Sequence, residues 1–348
     1  MRRYWLGLAV VTALSACGGG NPFVTEDETG TDPGTDPDTG TPITRDGIPP
    51  GTASPTPDQA IFRSEPTEAD GGELGDGYAS GIAYNAGDDT FTVDNLGFDG
   101  DNTYARGSAV SSLGPFAVYE ADAQFPDIVD GDVINQFTHR AIYGVSTSGN
   151  SQFAIVRTGA YVDYGFGGFV YQRDNSVTLP DTGQAVYQGS LAGVRDFKGS
   201  GGLEYTTGDI EIAIDFDDFN DSTGQRGDAI SGRISNRLIF DTNGTHITDQ
   251  VLNRINTENS LSLSEIPTLT FDVGPGNLDD NGEILGSLKS YYADANGITQ
   301  VYESGNYYAL VSGDNAEEIT GIVVVKNTLD PAGTEVRETG GFIVYNNE

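Results

Sequence analysis

The sequence predicts an all-β protein, and three observations predict it. Apolar and polar residues alternate in run after run. In Asp209-Ile-Glu-Ile-Ala-Ile-Asp-Phe216, for example, the side chains at 210, 212, 214 and 216 share one face. Forty-eight glycines, in pairs such as Gly100-Asp101, Asn243-Gly244 and Asn281-Gly282, supply turns between these runs. A single stretch has helical spacing: Ile247, Val251, Leu252 and Ile255 fall on one face, with Thr245 or Thr248 as N-cap.

Taken in order, residues 1–16 read as a signal peptide. Arg2 and Arg3 precede an apolar run from Trp5 to Leu14, which is too short for a membrane span. The closing Leu14-Ser15-Ala16-Cys17 resembles the lipobox of bacterial lipoproteins. That resemblance implies that Cys17 is acylated, palmitate being the expected chain, and that lipid alone holds the protein to a membrane. Gly18 after the cysteine, rather than aspartate, fits outer-membrane sorting in such lipoproteins. Residues 17–72 are rich in Gly, Pro, Thr, Asp and Glu, as in Thr31-Asp-Pro-Gly-Thr-Asp-Pro-Asp-Thr-Gly40, and read as a disordered linker. A coil of that length spans roughly 40 Å end to end, and its acids extend it further. The strand-like remainder exceeds one small sandwich, so two β domains are expected. They should cover 73–183 and 184–348, parted near Leu179-Pro-Asp-Thr-Gly183.

Composition removes many functions. The formal net charge of −35 becomes −37 once Met1–Ala16 is removed, so nucleic acid and anionic lipid are repelled. Cys17 is the one cysteine, which leaves no disulfide, no thiol catalyst and no Cys/His zinc site. Hydrolase chemistry would need His139 or His246 beside a serine and an acid, and no Gly-x-Ser-x-Gly elbow occurs. His139 lies in an alternating run and His246 in a turn, both structural settings. Two acidic groups, Asp215/Asp217/Asp218/Asp221 and Asp279/Asp280/Asn281/Glu283, offer oxygen ligands, but neither has the spacing of a calcium loop. No cofactor or metal is expected. Leu179–Gly183 also matches a cell-wall sorting motif; over 160 residues of strand follow it, and a Pro-initiated turn explains it better.

Two segments carry a family resemblance. Gly305 to Val325 is similar to the closing strand pair of the transferrin-binding protein B barrel, with Gly313, Ala316, Glu318, Ile319 and Gly321 fitting the pattern. Asp314, Thr320 and Val323 depart from it. Gly168–Tyr171 and Leu179–Gly189 resemble the run entering that barrel. The resemblance implies a handle-like β domain followed by a soluble eight-stranded antiparallel barrel, on an outer-membrane or cell-surface lipoprotein. It further implies non-catalytic binding of a protein or solute, beside a partner receptor or transporter in the outer membrane. The alternatives are a structural or adhesive envelope protein and a glycan-acting enzyme, whose paired acids sequence alone does not reveal. A membrane-spanning barrel is a further structural alternative, because alternation alone does not say which way the apolar face points. Ile322 and Val324 alternate with Val323 and Val325, so this strand should be covered on both faces. Among the aromatics spaced by glycines, Tyr161, Tyr164 and Phe166 are the candidate ligand contacts. The competing reading has them fill a core.

Overall fold

The computed structural model describes residues 47–346 apart from 98, 128, 160–162 and 218–227. The signal peptide, Cys17 and the linker as far as residue 46 therefore lie outside the described residues, as do Tyr161, Asp218 and Asp221. Regular structure starts earlier than residue 73. Residues 47–72 lie along the first sheet and include strand β1 (Ile61–Ser64) and a 3-10 turn at Glu68–Asp70. Ile61 is buried there, and Arg63 pairs with Glu283 at 2.7 Å across 220 positions of sequence. Long-range contacts of this kind hold a segment whose local composition reads as linker.

The first sheet continues through β2 (Ser80–Asn85), β3 (Thr90–Asp94), β4 (Thr103–Arg106), β5 (Ser112–Leu113) and β6 (Phe116–Glu120). A separate hairpin follows, β7 (Gln124–Pro126) and β8 (Val133–Asn135), then β9 (Arg140–Val145), β10 (Ser151–Arg157) and β11 (Gly167–Arg173). Spatial order is β1-β11-β10-β9-β6-β4-β3-β2, with β5 on β6 and every pairing antiparallel. The sheet curls as a half-barrel around Ile82, Phe91, Tyr104, Tyr119 and Tyr143.

The chain crosses to a second sheet between Arg173 and Gln184. That sheet comprises β12 (Gln184–Phe197), β13 (Leu203–Asp215), β14 (Asp228–Phe240), β15 (Leu269–Phe271), β16 (Gly274–Leu278), β17 (Glu283–Ala293), β18 (Thr299–Ser312), β19 (Glu318–Leu329) and β20 (Ala332–Asn346). The short β15 and β16 follow one another between β14 and β17 and make one stave. β20 pairs back onto β12, so eight antiparallel staves close a barrel. The one α-helix among the described residues, α1 (Thr248–Asn259), buries Val251, Leu252 and Ile255 as its spacing predicts. Neither threonine caps it, however. Ile247 is the N-cap, and the Thr248 hydroxyl accepts the Ile239 N–H instead.

The barrel is filled. Ile210, Ile212, Ile214, Ile234, Leu288 and Val344 point inward around Phe271 and Tyr307, whose rings stack at 4.1 Å. Helix α1 packs on Ile239, Ile266 and Tyr302 at one mouth. Val177, Leu179 and Ala316 join the core at the other, where the Tyr187 hydroxyl donates to the Ala316 carbonyl at 2.7 Å. An apolar interior is the reverse of a membrane-spanning barrel, whose greasy side faces out. Among the described residues no helix is long and apolar enough to cross a membrane.

Candidate functional site: the seam between two sheets

The sheets meet over an apolar seam. Phe116, Phe153, Ile155, Phe169 and Tyr171 of the first sheet pack on Ala192, Val194, Leu310, Ile322 and Ile343 of the barrel's outer wall. Ile322 and Val324 thus face the seam while Val323 and Val325 fill the barrel, as the double apolar pattern predicts. Phe153 needs glycine on both sides: a Cβ at Gly341 would lie 2.1 Å from its ring, and one at Gly144 would lie 2.4 Å from it.

Charge is buried in the same seam. The Arg157 guanidinium, fully buried, donates to Glu65 at 2.8 Å and lies 3.6 Å from Asp196. Arg337 binds Asp196 at 2.9 Å and Asp76 at 2.5 Å. Arg157, Glu65 and Asp76 come from the first sheet and its loops, while Asp196 and Arg337 come from the barrel. Burial drives the Glu65 carboxyl up, but Arg157 and Arg337 outweigh it and hold it below the usual range. Asp76 goes the other way, because burial and the neighbouring Glu65 charge prevail over the two arginines. Two guanidiniums against three carboxylates form a lock that neither sheet completes alone.

Tyr164 belongs to this lock. It is 1% exposed, its ring lies 4.2 Å from the Arg337 guanidinium, and its hydroxyl donates to Glu335 at 2.6 Å. Phe166 is half-buried, edge-on to Tyr78 at 5.2 Å. The structure therefore gives Tyr164 a clamping position and no exposed surface.

The residues that match the barrel pattern have physical roles. Gly313 and Ala316 take positive φ in the β18–β19 turn. Ile319 points into the barrel, and a Cβ at Gly321 would sit 2.3 Å from the Tyr308 carbonyl oxygen. Glu318, buried, accepts the Ser148 and Ser151 hydroxyls at 3.0 and 2.9 Å, another tie across the seam.

Two clefts open along the seam. One, of about 640 Å³, lies between β5 with its flanking residues 109–114 and the barrel wall carrying Leu238 and Phe240. Its floor holds a β-bulge at Thr207–Asp209, and Asn236 donates to Asp209 at 2.7 Å. The other, of about 660 Å³, is acidic, lined by Asp58, Asp174, Asp314, Glu317 and Glu318. Burial pushes the Asp174 carboxyl up to about 6, against hydrogen bonds from Gln172 and Gln152. Among the described residues no group of three or more His, Cys, Asp or Glu is placed to hold a metal ion. Asp279 accepts the N–H groups of Asn281 and Glu283 in a turn, and Glu283 is spent on Arg63.

His139 is buried with Nδ1 3.2 Å from the Phe137 carbonyl oxygen, and burial drives its value down to about 4. His246 is exposed beside Phe240.

The chain is similar to transferrin-binding protein B. A variant of that protein from Haemophilus parasuis matches at 12% identity over 83% of this chain and 45% of its own, with a TM-score of 0.38. The Neisseria meningitidis protein matches at 14% identity over 67% and 42%, with a TM-score of 0.30. A variant from Actinobacillus pleuropneumoniae matches at 14% identity over 57% and 79%, with a TM-score of 0.27. The chain spans less than half the length of the first two. No protein-family model and no curated protein sequence matches it.

Proposed function

We propose that this protein is an outer-membrane lipoprotein, held at the cell surface through acylated Cys17, that binds a protein ligand without catalysis. In this reading the first sheet, from residue 61 to 173, is the handle unit and residues 184–346 are the barrel unit. The observation that carries the proposal is the filled barrel: aromatic and aliphatic side chains occupy its interior, and α1 covers one mouth. A solute carrier of barrel type needs an empty interior. Recognition therefore falls to the outer surface, where a rigid body and an open cleft suit a macromolecular partner. The buried seam lock supports this, because preorganised surfaces lose less entropy on binding.

The test is capture from the native medium by the chain lacking residues 1–16, set against Leu238→Arg in the 640 Å³ cleft. Leu238 is exposed, so the variant should melt with the wild type. A ligand retained by the wild type and lost by the variant supports the reading. No ligand retained by the wild type, or turnover of an envelope glycan by it, overturns it, and equal retention by both moves the contact away from this cleft. Protease shaving of intact cells and mass measurement of the mature N-terminus check the surface location and the acyl group.

A further inference from the structure

We infer that the β7–β8 hairpin is a docking prong for a protein partner that offers an apolar socket rimmed by lysine or arginine. This rests on the ligand-binding reading and names a contact surface for it. The hairpin belongs to neither large sheet; Gln124, Phe125 and Pro126 pair only with Asn135, Ile134 and Val133. That register splits its faces. Phe125 is half-buried against the body, where a Cβ on Gly100 would meet its ring at 2.9 Å, and Ile134 beside it on that face is 41% exposed. Pro126 and Val133 share the opposite face. Val133 is 64% exposed, and Val129 at the tip is 88% exposed. Exposed aliphatics on a projecting two-stranded element gain nothing from the fold, since no neighbour covers them.

The prong is nevertheless held in shape. The Gln136 N–H donates to Ala123 at its base, the Asp127 N–H to Asp132 near its middle, and the Gly131 N–H to Asp127 at its turn. Side chains brace the same turn: Asp127 accepts from the Val129 N–H at 2.6 Å, and Asp130 from the Asp132 N–H at 3.0 Å. Such preorganisation favours binding, because less freedom is lost on contact.

Charge selects the occupant. Asp127, Asp130 and Asp132 flank Val129 and Val133, and no lysine or arginine occurs from 107 to 139. A second copy would bring the same three carboxylates against these and would be repelled, as would anionic lipid. A socket with a basic rim satisfies both the aliphatic tip and its carboxylate flanks.

The experiment places a photo-crosslinking p-benzoylphenylalanine at Val129 in the full lipidated chain, in its own cells. The control carries the same group at Ile298, which is 56% exposed and remote in sequence. The expected result is one discrete adduct with another protein at Val129, at least tenfold above the control. It should fall at raised salt and vanish with Val133→Asp, and the cross-linked peptide should be rich in Lys or Arg. An adduct with a second copy, with lipid, or none at all overturns the inference. If Val129→Asp/Val133→Asp retains the captured ligand as the wild type does, the prong falls and the ligand-binding reading stands. Loss of capture through Leu238→Arg alone separates the two in the same way.

Discussion

The covered and open walls of the barrel read differently in the same fold. On β13, in the open wall, Ile210, Ile212 and Ile214 point inward while Asp209, Glu211 and Asp215 face water. On β19, in the covered wall, Ile322 to Val325 are apolar on both faces, because the first sheet buries the outer one. Alternation marks a strand with one partner, and an unbroken apolar run marks a strand with two. Charge follows the same division. Arg233 on the open wall meets Glu211 in water, 60% of its side chain exposed, whereas Arg337 on the covered wall is buried among carboxylates.

The largest effect expected from breaking this comparison is at Arg337. Arg337→Met leaves Asp76 buried without its ion-pair partner and Asp196 with Arg157 alone at 3.6 Å, and such loss of one partner costs about 3–5 kcal/mol. Urea unfolding should show the midpoint fall by a corresponding amount. A triple change that also makes Asp196→Leu and Asp76→Leu should recover much of it, because the uncompensated charges go too. A midpoint that stays put in Arg337→Met would mean that water reaches the seam.

A buried base without a carboxylate beside it should respond to pH alone. The folded chain holds His139 neutral down to about 4, while an unfolded chain takes up its proton near 6.5. The unfolded state therefore binds the extra proton first. Stability is complete above about pH 6.5 and is lost as pH falls toward 4, by about 3 kcal/mol in all. His139→Phe should flatten that part of the pH profile in chemical unfolding, and an unchanged slope would place the proton uptake elsewhere.

Crowding of the seam comes next in size. Gly341→Ala sets a methyl group against the Phe153 ring and should cost about 1–3 kcal/mol. Phe153→Leu in the same chain should give part of it back, a coupling that a double-mutant cycle measures directly. Alanine at Gly97, where a Cβ meets nothing within 4 Å, should leave the melting temperature almost unmoved.

Period-two runs carried the all-β class, the strands of the open wall and, through Ile322–Val325, the existence of a second layer. The helix was legible from four residues because 3.6-residue spacing is local. The seam lock was not, since Glu65, Asp76, Arg157, Asp196 and Arg337 meet only after both sheets have formed. A signal for it did exist. Only 17 lysines and arginines stand against 52 acids, yet Arg63, Arg157, Arg173, Arg195, Arg237 and Arg337 are all buried. In so acidic a chain, arginines inside predicted strands are candidate interior ties. Arg237 illustrates this within the barrel, gripping Glu338 at 2.8 Å and the Pro267 carbonyl at 2.9 Å. Tyr164 shows the reverse. Glycines around an aromatic left two readings open, a ligand contact or a core ring, and the ring is buried against a cation 173 positions away.

The smallest effect expected lies on the open wall and completes the contrast. Arg233 and Glu211 pair at 3.1 Å, but both are exposed enough for water and salt to screen them. Arg233→Ala should shift stability by less than about 1 kcal/mol, and 1 M salt should erase even that. Salt should barely change the Arg337→Met deficit, because its charges are out of reach of mobile ions. Unfolding the two variants in parallel at low and high salt therefore measures the walls against each other. If both deficits shrank alike, the seam would be wet and the two walls would differ in sequence pattern alone.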